Sequence, residues 1–366
     1  MSPVAPTVRS TRAAAYRVPT AGPEADGTLA WDSTTIVVVR LEAGDVHGLG
    51  WTYADAACVP LINDLLAPVI KDLPVSAVPR AWQAMQQRIR NLGRPGLVSC
   101  ALSAVDVALW DAASRWLEIP VADLLGRCRD QVDVYGSGGF TSYDDDQLVE
   151  QVHNWTDGQQ LGRIKIKIGE SWGSRQTEDV RRVSLVRNAV GGRVELFVDA
   201  NGGYAVGQAR RMADALADLG VTWFEEPVSS DDLAGLATVR SSTMVDIAAG
   251  EYGYDLAYFA RMAPVVDCLQ IDVTRCGGYT EWLRAAAVAA AGGLEVSAHC
   301  APNLSAHAGA AIPNFRHIEW FVDHDRIESE LFDGCLDPHG GSVTVPSTGA
   351  GHGLTFRAEA AEPYTI

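Results

Sequence analysis

The sequence predicts an α/β protein whose larger part is a (β/α)8 barrel, preceded by a smaller α+β lobe. At 366 residues the chain is longer than one ordinary core needs and is sufficient for a barrel and a second lobe. From residue 132 onward, short apolar runs alternate with helical patterns, which is typical of βαβ units in a parallel sheet. About eight such runs occur, so we expect a closed barrel and not an open sheet.

The first lobe, residues 1–125, combines strands with helices. A run rich in β-branched residues at 34–41 predicts a strand, and residues 46–51, which follow an Ala-Gly-Asp turn, predict its hairpin partner. Apolar residues at helical spacing predict helices over residues 61–70, 78–92 and 96–117. These segments indicate an α+β lobe that ends near residue 125.

The barrel is predicted to occupy residues 126–325. Its strands are expected over residues 132–137, 163–168, 194–198, 221–224, 246–249, 268–271, 295–298 and 317–320. Residues 323–341 are polar and irregular, so we expect the eighth repeat to lack a long helix. Residues 326–366 are expected to form a C-terminal segment that returns to the first lobe and is extended from residue 341 onward.

Composition and charge exclude several classes of function. Apolar residues make up 47% of the chain and charged residues 20%, which indicates a globular protein. The formal net charge of −17 argues against partners such as nucleic acid or an anionic membrane surface, because both require a basic patch. We therefore expect a small-molecule partner, and an anionic one must be bound by a local cluster of positive charge.

Cysteine usage and hydropathy predict a cytoplasmic protein. The seven cysteines are scattered and form no C-x-x-C pair, which is typical of a reduced, intracellular chain. The first 30 residues contain no apolar run long enough for a signal peptide. The apolar stretch at 285–291 is far shorter than a membrane span, so no membrane segment is expected.

Three carboxylates follow successive predicted strands at the point where each strand ends. Asp199, Glu225 and Glu251 are spaced at 26-residue intervals, about one βα repeat. Because strand ends of a barrel converge on one mouth, the three side chains are expected to meet there. Oxygen ligands without His or Cys suit Mg²⁺ before Mn²⁺ or Ca²⁺. The alternative is that each acid only caps the helix that follows it.

Two lysines occupy the second predicted barrel strand. Alternation places Lys165 and Lys167 on one face and the isoleucines between them on the other. In an exposed antiparallel strand such lysines would face water, but both faces of a βαβ sheet are covered. Inside a barrel they need anionic partners. A partly desolvated lysine near cations has a lowered pKa and can act as a general base.

A second acid–base group is predicted at the sixth, seventh and eighth strand ends. Asp272 and His299 can form a pair in which the carboxylate orients the ring and stabilises its charged form. Taken alone, a histidine is more often structural, but here its neighbours around the barrel carry the same chemistry. Glu319, on the eighth strand, is a candidate to carry a proton and donate a hydrogen bond to a substrate oxygen.

Together these groups suit removal of a proton next to a carboxylate. That proton is weakly acidic, because its loss puts a second negative charge on the acid. A divalent cation and lysines can stabilise the resulting enediolate, while a base stands on each face of the carbon. The sequence therefore predicts a magnesium-dependent enzyme of this reaction class.

The motifs, taken as an ordered set, resemble those of the mandelate racemase subgroup of the enolase superfamily. They are Lys165-Ile166-Lys167, Asp199-Ala200-Asn201, Glu225-Glu226-Pro227, Gly250-Glu251, Asp272 with Gly277-Gly278, His299 and Glu319. The resemblance covers nearly the whole chain. It implies a modified (β/α)8 TIM barrel beneath an α+β capping domain that the C-terminal tail completes, and it also implies a homo-oligomer.

The resemblance also implies roles for individual residues. Its magnesium ligands are Asp199, Glu225 and Glu251. One base is Lys167, and the second base or general acid is His299, paired with Asp272. The substrate carboxylate is held by Lys165 and Glu319.

Substrate selection in this family is carried by two cap loops, which correspond here to residues 19–30 and 51–58. The first is rich in glycine and acidic residues, and the second contains Trp51, Tyr53 and Asp55. Such polar groups can hydrogen-bond sugar hydroxyls, so we expect these loops and Asn201 to contact a polar substrate. The alternative is that the loop residues only pack the lid.

The leading hypothesis is dehydration of an acid sugar to a 2-keto-3-deoxy acid. Racemisation or epimerisation at the same carbon, and cycloisomerisation, share its first step and stay open. A non-catalytic barrel that binds a carboxylate is disfavoured because every catalytic position is filled. A zinc hydrolase barrel is disfavoured because no H-x-H motif follows the first barrel strand.

Overall fold

A computed structural model describes residues 4–366 of the chain, in which an antiparallel cap precedes a parallel barrel. The cap strands are β1 (Ser10–Ala25), β2 (Ala30–Ala43) and β3 (Val46–Tyr53), paired in that order. The cap helices are α1 (Cys58–Pro60), α2 (Ala67–Ile70), α3 (Val78–Arg88), α4 (Leu97–Leu117) and α5 (Val121–Leu125), with a π-helical turn over Leu61–Leu66. The two strands and three helical regions predicted from sequence correspond to these elements.

The long strand β1 was not indicated by the sequence. It contains two prolines and a run of alanines, which have low strand propensity. Among the strands of the cap sheet it pairs only with β2, and an edge strand tolerates proline. Its register shifts between Pro19 and Glu24, so most of the predicted first cap loop is the irregular end of a hairpin whose turn lies at residues 26–29.

Helix α4 forms the core of the cap. It crosses β3 closely because Gly50 has no side chain, and a Cβ there would lie 2.3 Å from the Ala104 carbonyl oxygen. Its length and hydropathy would suffice for a membrane span, but 83% of its most apolar window is buried inside the protein. The apolar character of α4 is explained by its packing in the cap.

The barrel is closed, as predicted. Among residues 4–366, eight parallel strands follow one another in chain order, and the last pairs with the first. They are β4 (Gln131–Gly138), β5 (Arg163–Lys167), β6 (Glu195–Asp199), β7 (Val221–Glu225), β8 (Asp246–Ala249), β9 (Cys268–Ile271), β10 (Glu295–Ala298) and β11 (Phe315–Phe321). The predicted α/β fold class, a modified TIM barrel with a cap, is confirmed.

Helical segments surround this barrel. They are α6 (Asp145–His153), α7 (Glu170–Gly173), α8 (Gln176–Val190), α9 (Val206–Asp218), α10 (Leu233–Arg240), α11 (Leu256–Met262), α12 (Gly278–Ala291), α13 (Pro302–Ala310) and α14 (Val322–Leu331). The expectation that the eighth repeat lacks a long helix was wrong, because α14 has ten residues. The sequence of α14 is mostly polar, but the helix has a buried side that includes Ile327 and Leu331. The predicted domain boundary at residue 325 falls within α14.

The tail after α14 contacts both barrel and cap. Its elements are β12 (Phe332–Asp333), β13 (Ser342–Thr344), β14 (Thr355–Phe356) and α15 (Ala358–Ala361). The strand β13 pairs antiparallel with β4, and Ile366 donates its backbone N–H to the Ala15 carbonyl of the cap at 3.1 Å. The tail therefore links the two parts, and the cap is held over the barrel mouth from which the strand ends emerge.

Candidate active site

Strand register places a row of charged side chains at the barrel mouth. Lys167, the last residue of β5, is opposite Asp199 on β6, which is opposite Glu225 on β7. Residues opposite one another on neighbouring strands point to the same face of a sheet. The three side chains therefore project together into the barrel, and Glu251 follows from the loop after β8.

The predicted metal ligands meet in one place. Oxygen atoms of Asp199, Glu225 and Glu251 all lie within 4.8 Å of one another, and all three residues are buried. Oxygens around an octahedral Mg²⁺ at about 2.0–2.1 Å are separated by distances in this range. Within the described residues, Glu251 Oε2 has no hydrogen-bond partner. A buried carboxylate oxygen without a partner is costly, so the residues present fit a divalent cation.

Glu226 is a fourth buried acid at this site that the sequence did not single out. Its backbone has φ 37°, and its Oε1 has no hydrogen-bond partner within residues 4–366. Burial, and after it the Glu251 carboxylate, raises the pKa of Glu226 well above its ordinary value. The Glu-Glu-Pro motif contains two adjacent acids, and only the fold distinguishes the ligand from its neighbour.

The two lysines have different surroundings. Lys165 is fully buried, with its Nζ 2.6 Å from Glu225 and 2.6 Å from Glu319. Lys165 does not line the cavity described below, so its ammonium group neutralises the neighbouring carboxylates. This differs from the prediction that Lys165 holds the substrate carboxylate. Lys167 does line the cavity and donates a hydrogen bond to Asp199.

The lowered lysine pKa expected from the sequence does not follow from the protein charges alone. Burial lowers the pKa of Lys167 and is the largest single effect, but the carboxylates of Asp199, Glu319 and Glu225 together outweigh it, so the net pKa lies above its ordinary value. The expectation assumed nearby positive charge, whereas the nearest protein charges are acids. A cation between those acids would oppose this increase.

The Asp272–His299 pair forms as predicted from the strand ends. His299 Nδ1 lies 2.8 Å from Asp272 Oδ2, and Thr274 donates its N–H and hydroxyl to the other oxygen at 2.6 and 2.7 Å. This leaves Nε2 for the cavity, where Glu251 is 3.4 Å away. Burial lowers the pKa of His299, but Glu251 and then Glu319 outweigh it, so the net pKa is raised.

Arg275 is a site residue that the sequence reasoning missed. Its Nε is 3.2 Å from Asp272 Oδ2, and its Nη1 is 3.3 Å from Glu251 Oε1. The side chain therefore links the acid–base pair to a metal ligand. The position of Arg275, three residues after Asp272 in the loop that precedes α12, is the feature of the sequence that could have identified it as a site residue.

The contacts of Glu319 oppose the hypothesis that it carries a proton. Its Oε1 lies 2.6 Å from Lys165 Nζ and accepts a hydrogen bond from the Ser137 hydroxyl at 2.6 Å. Burial raises the pKa of Glu319, but Lys165 and then His299 outweigh it and hold the pKa well below its ordinary value. Glu319 is therefore an ionised acceptor.

The strand ends open into a cavity of about 420 Å³ beneath the cap. The cap contributes Asp26, Leu29, Trp31, Ser33, Thr34, Thr35, Tyr53, Ala54 and Asp55. The barrel contributes Lys167, Asn201, Glu251, Tyr252, Arg275, His299, Cys300, Glu319, Phe321 and His324. Both predicted cap loops therefore contribute to the wall, and hydroxyl, amide and charged groups make up much of it.

The predicted substrate contacts differ in outcome. Asn201 lines the cavity, and its Oδ1 has no partner within the described part of the chain. Trp51 is fully buried, away from the cavity wall, and its indole N–H donates to Glu328 at 3.1 Å, so that assignment was wrong. Tyr53 presents its ring to the cavity, but its hydroxyl also donates to Glu328, at 3.1 Å. The sequence around Trp51 and Tyr53 does not indicate that Glu328 accepts hydrogen bonds from both the indole N–H and the phenol hydroxyl.

His324 is a second wall residue that the sequence reasoning missed. Its ring stacks on Tyr53 with centroids 3.4 Å apart, and its Nδ1 accepts a hydrogen bond from the Ala301 N–H at 3.2 Å. Burial lowers the pKa of His324 to about 3, so the ring is neutral and carries its proton on Nε2. It lies in the helix that the sequence did not predict, which is why no pattern pointed to it.

Family comparisons agree with this geometry. Residues 147–361 match the family model described as Enolase C-terminal domain-like, and residues 10–126 match that of the Mandelate racemase / muconate lactonizing enzyme, N-terminal domain. The chain belongs to the enolase superfamily. Within it, the chain is 32% identical, over 94% of its length and 95% of the relative's, to a 3,6-anhydro-alpha-L-galactonate cycloisomerase of Streptomyces coelicolor.

Solved enolase-superfamily structures superpose closely on this chain. A mandelate racemase/muconate lactonizing enzyme-like protein from Rubrobacter xylanophilus has a TM-score of 0.95 and 44% identity, covering 99% of this chain and 100% of that one. An L-talarate/galactarate dehydratase from Salmonella typhimurium, solved with Mg and L-lyxarohydroxamate, has a TM-score of 0.90 and 25% identity, covering 99% and 93%. This chain is a magnesium-dependent enzyme of the superfamily.

Proposed function

We propose that this enzyme dehydrates an acid sugar, converting it to a 2-keto-3-deoxy acid. The observation that carries the proposal is that Lys167 and His299 line one polar cavity from different strands of the barrel. One can remove the proton next to the carboxylate while the other protonates a leaving hydroxyl. Both groups are needed for an elimination, and a binding barrel would need neither.

The proton movements follow from the contacts of each residue. Neutral Lys167 Nζ takes the proton from the carbon next to the carboxylate, and the charge moves onto the carboxylate oxygens. When bound by Asp199, Glu225 and Glu251, Mg²⁺ supplies electrostatic stabilisation of that charge. His299, held at Nδ1 by Asp272, gives its Nε2 proton to the β-hydroxyl, which leaves as water. The resulting enol tautomerises to the 2-keto acid.

The cavity wall supports a polyhydroxylated substrate. The cap side offers Ser33, Thr34 and Asp55, and the barrel side offers the free amide oxygen of Asn201 and the neutral His324 ring. Such groups hydrogen-bond hydroxyls, and a hydroxyl-binding site discriminates strongly against analogues that lack the hydroxyl. An apolar substituent would leave these groups without partners.

Cycloisomerisation is a second candidate, favoured by the similarity to the S. coelicolor cycloisomerase over nearly the whole length of both chains. It would begin with the same proton removal, but the leaving oxygen would belong to a ring of the substrate. No water would be lost, so the product would have the mass of the substrate. Relatives named as dehydratases and as dipeptide epimerases also occur, and the first step is shared by all.

A test is to incubate the Mg²⁺-loaded enzyme with a panel of acid sugars and anhydro-sugar acids, in ordinary water to compare product masses and in deuterated water to measure proton exchange. Dehydration predicts a 2-keto acid whose mass is lower by one water. A 2-keto acid with the same mass as its substrate would contradict dehydration and support cycloisomerisation. Deuterium exchange without any keto acid would contradict both and favour epimerisation.

Matched variants assign the roles. Lys167→Ala and His299→Asn should each strongly reduce product formation, whereas Lys71→Ala and His339→Asn, at exposed positions, should not. His299→Asn should still exchange the proton if Lys167 alone removes it. Full activity in the Lys167→Ala, His299→Asn double variant would refute the proposed chemistry.

A further inference from the structure

Beside the magnesium ligands, three different ligand atoms lie together at the end of β10 and on β11. Cys300 Sγ is 3.4 Å from His299 Nε2 and 3.5 Å from Glu319 Oε2. The triangle closes with 3.6 Å between His299 Nε2 and Glu319 Oε2. All three residues are buried, and all three line the cavity.

These separations are those of a tetrahedral zinc site. Zinc binds sulfur at about 2.3 Å, imidazole nitrogen at about 2.0–2.1 Å and carboxylate oxygen at about 2.0–2.2 Å. With tetrahedral angles, such bonds place the ligand atoms about 3.4–3.6 Å apart. An ion could therefore sit above the triangle without rearrangement of the backbone.

The surrounding hydrogen bonds leave free the three atoms that such an ion would need. Asp272 holds His299 Nδ1 at 2.8 Å, which leaves Nε2 facing the cavity, 3.4 Å from both Cys300 Sγ and Glu251 Oε2. Lys165 and Ser137 occupy Glu319 Oε1, each at 2.6 Å, which leaves Oε2. A carboxylate behind a histidine is the arrangement that orients metal-binding imidazoles.

We propose that His299, Cys300 and Glu319 form a second metal site, selective for a borderline-soft divalent cation such as Zn²⁺. The thiolate and the carboxylate balance the charge of the ion, the thiol proton passes to solvent, and the cavity supplies the fourth position. Magnesium is excluded because it requires oxygen ligands in octahedral geometry. Zinc at this site would occupy the Nε2 atom that transfers protons, so it would inhibit the enzyme while Mg²⁺ remains bound.

Cobalt(II) is the spectroscopic probe of the site, because a thiolate ligand gives it a near-ultraviolet charge-transfer band. Enzyme saturated with Mg²⁺ should develop this band on addition of one equivalent of Co²⁺, and Cys300→Ser should lose it. Cys128→Ser and Cys335→Ser are the matched controls and should keep it, because Cys128 is exposed and Cys335 lies away from the cavity. Absence of the band in the wild-type enzyme, or its persistence in Cys300→Ser, would overturn the proposal.

Inhibition gives an independent measure. At saturating Mg²⁺, the Zn²⁺ concentration that halves the activity should be at least about ten times higher for Cys300→Ser than for the wild type, each measured against its own activity. A tenfold change corresponds to about 1.4 kcal/mol of binding free energy, which is attributed to the lost thiolate ligand. If additional Mg²⁺ relieved the inhibition, zinc would be acting at Asp199, Glu225 and Glu251, and the proposal would fail.

Crystals of the wild-type enzyme soaked in Zn²⁺ keep the proposal testable if Cys300→Ser does not fold. An anomalous peak between the three side chains is expected, and a peak only among the magnesium ligands would contradict it. Neither the cobalt spectrum nor this peak requires a substrate. The second site therefore stands or falls separately from the dehydratase proposal.

Discussion

The two ends of the barrel both carry rings of charged side chains, but they differ in burial. At the amino-terminal end, a cavity of about 490 Å³ is lined by two arginines that each bridge two acids. Arg163 contacts Asp133 at 3.0 Å and Glu195 at 3.2 Å, and Arg316 contacts Asp246 at 2.7 Å and Glu295 at 2.8 Å. Between 26% and 52% of each of these side chains is exposed.

At the carboxyl-terminal end the corresponding side chains are between 0% and 7% exposed. Acids outnumber bases in both rings, but at the amino-terminal end water solvates the surplus charge. At the carboxyl-terminal end the carboxylates are buried, and a cation is needed to balance their charge. Burial of unbalanced charge, and not the density of charged residues, therefore distinguishes the active site from a structural ring of ion pairs.

The largest expected difference between the two ends is in catalysis. Lys167→Ala should lower kcat by about 10³-fold, the range for loss of a positioned general base. Arg163→Ala, on the same strand but at its other end, should change kcat by no more than about two-fold. Steady-state kinetics on the best substrate measures both. Equal losses in the two variants would remove the distinction between the ends.

The stabilisation of the protein by Mg²⁺ should depend on acids at the carboxyl-terminal end of the barrel and not on acids at the amino-terminal end. Free Mg²⁺ at about 100 times its dissociation constant stabilises a folded protein by about 2.7 kcal/mol, which should raise the thermal midpoint by several degrees. Glu251→Gln should lose most of this shift, whereas Glu295→Gln in the amino-terminal ring should retain it. Thermal unfolding with Mg²⁺ and with EDTA provides the measurement, and a full shift in Glu251→Gln would exclude it as a ligand.

The pH dependence of stability should also separate the two ends. In the metal-free protein the pKa of His299 is raised by Glu251 and Glu319 against the opposing effect of burial. The stabilisation from this group is therefore complete below the ordinary histidine pKa of about 6.5 and is lost as pH increases through the raised value.

Urea unfolding of metal-free wild type and of His299→Asn at about pH 6 and about pH 9 tests this sign. The wild type should lose its advantage over the variant as pH increases. The exposed His339→Asn should show no such trend. A difference that widens with pH would mean that His299 is neutral in the fold.

The smallest effect is expected from the amino-terminal ring itself. Arg316→Ala removes two ion pairs and a contact of the guanidinium with the Trp223 ring, whose centroid is 5.6 Å away. Because the ion pairs are partly exposed, the free energy of unfolding should fall by only about 1 kcal/mol. Denaturant unfolding at low and high salt measures it, and a loss of several kcal/mol would show that this ring is as tightly coupled as the active site.

Much of the site followed from the sequence because strand ends obey a simple geometry. Parallel strands of a barrel end at one mouth, so Asp199, Glu225 and Glu251 converge whatever the intervening helices are. Alternation along β5 placed both lysines inside for the same reason. Local patterns were less reliable where burial overrides propensity, as in the proline-containing β1 and the polar-looking α14.

The sequence by itself determined which chemistry is present at the barrel mouth, because that chemistry depends on which residue ends each strand. Only the tertiary structure decided which site residues are protonated and which side chains they contact, because both depend on residues that are distant in the chain. Ser137 and Lys165 keep Glu319 ionised. Glu328 holds Trp51 out of the cavity, and the fold brings Cys300 Sγ to within 3.5 Å of Glu319. Electrostatic energies in a buried site are set by distances of a few ångströms, which periodicity along a chain does not specify.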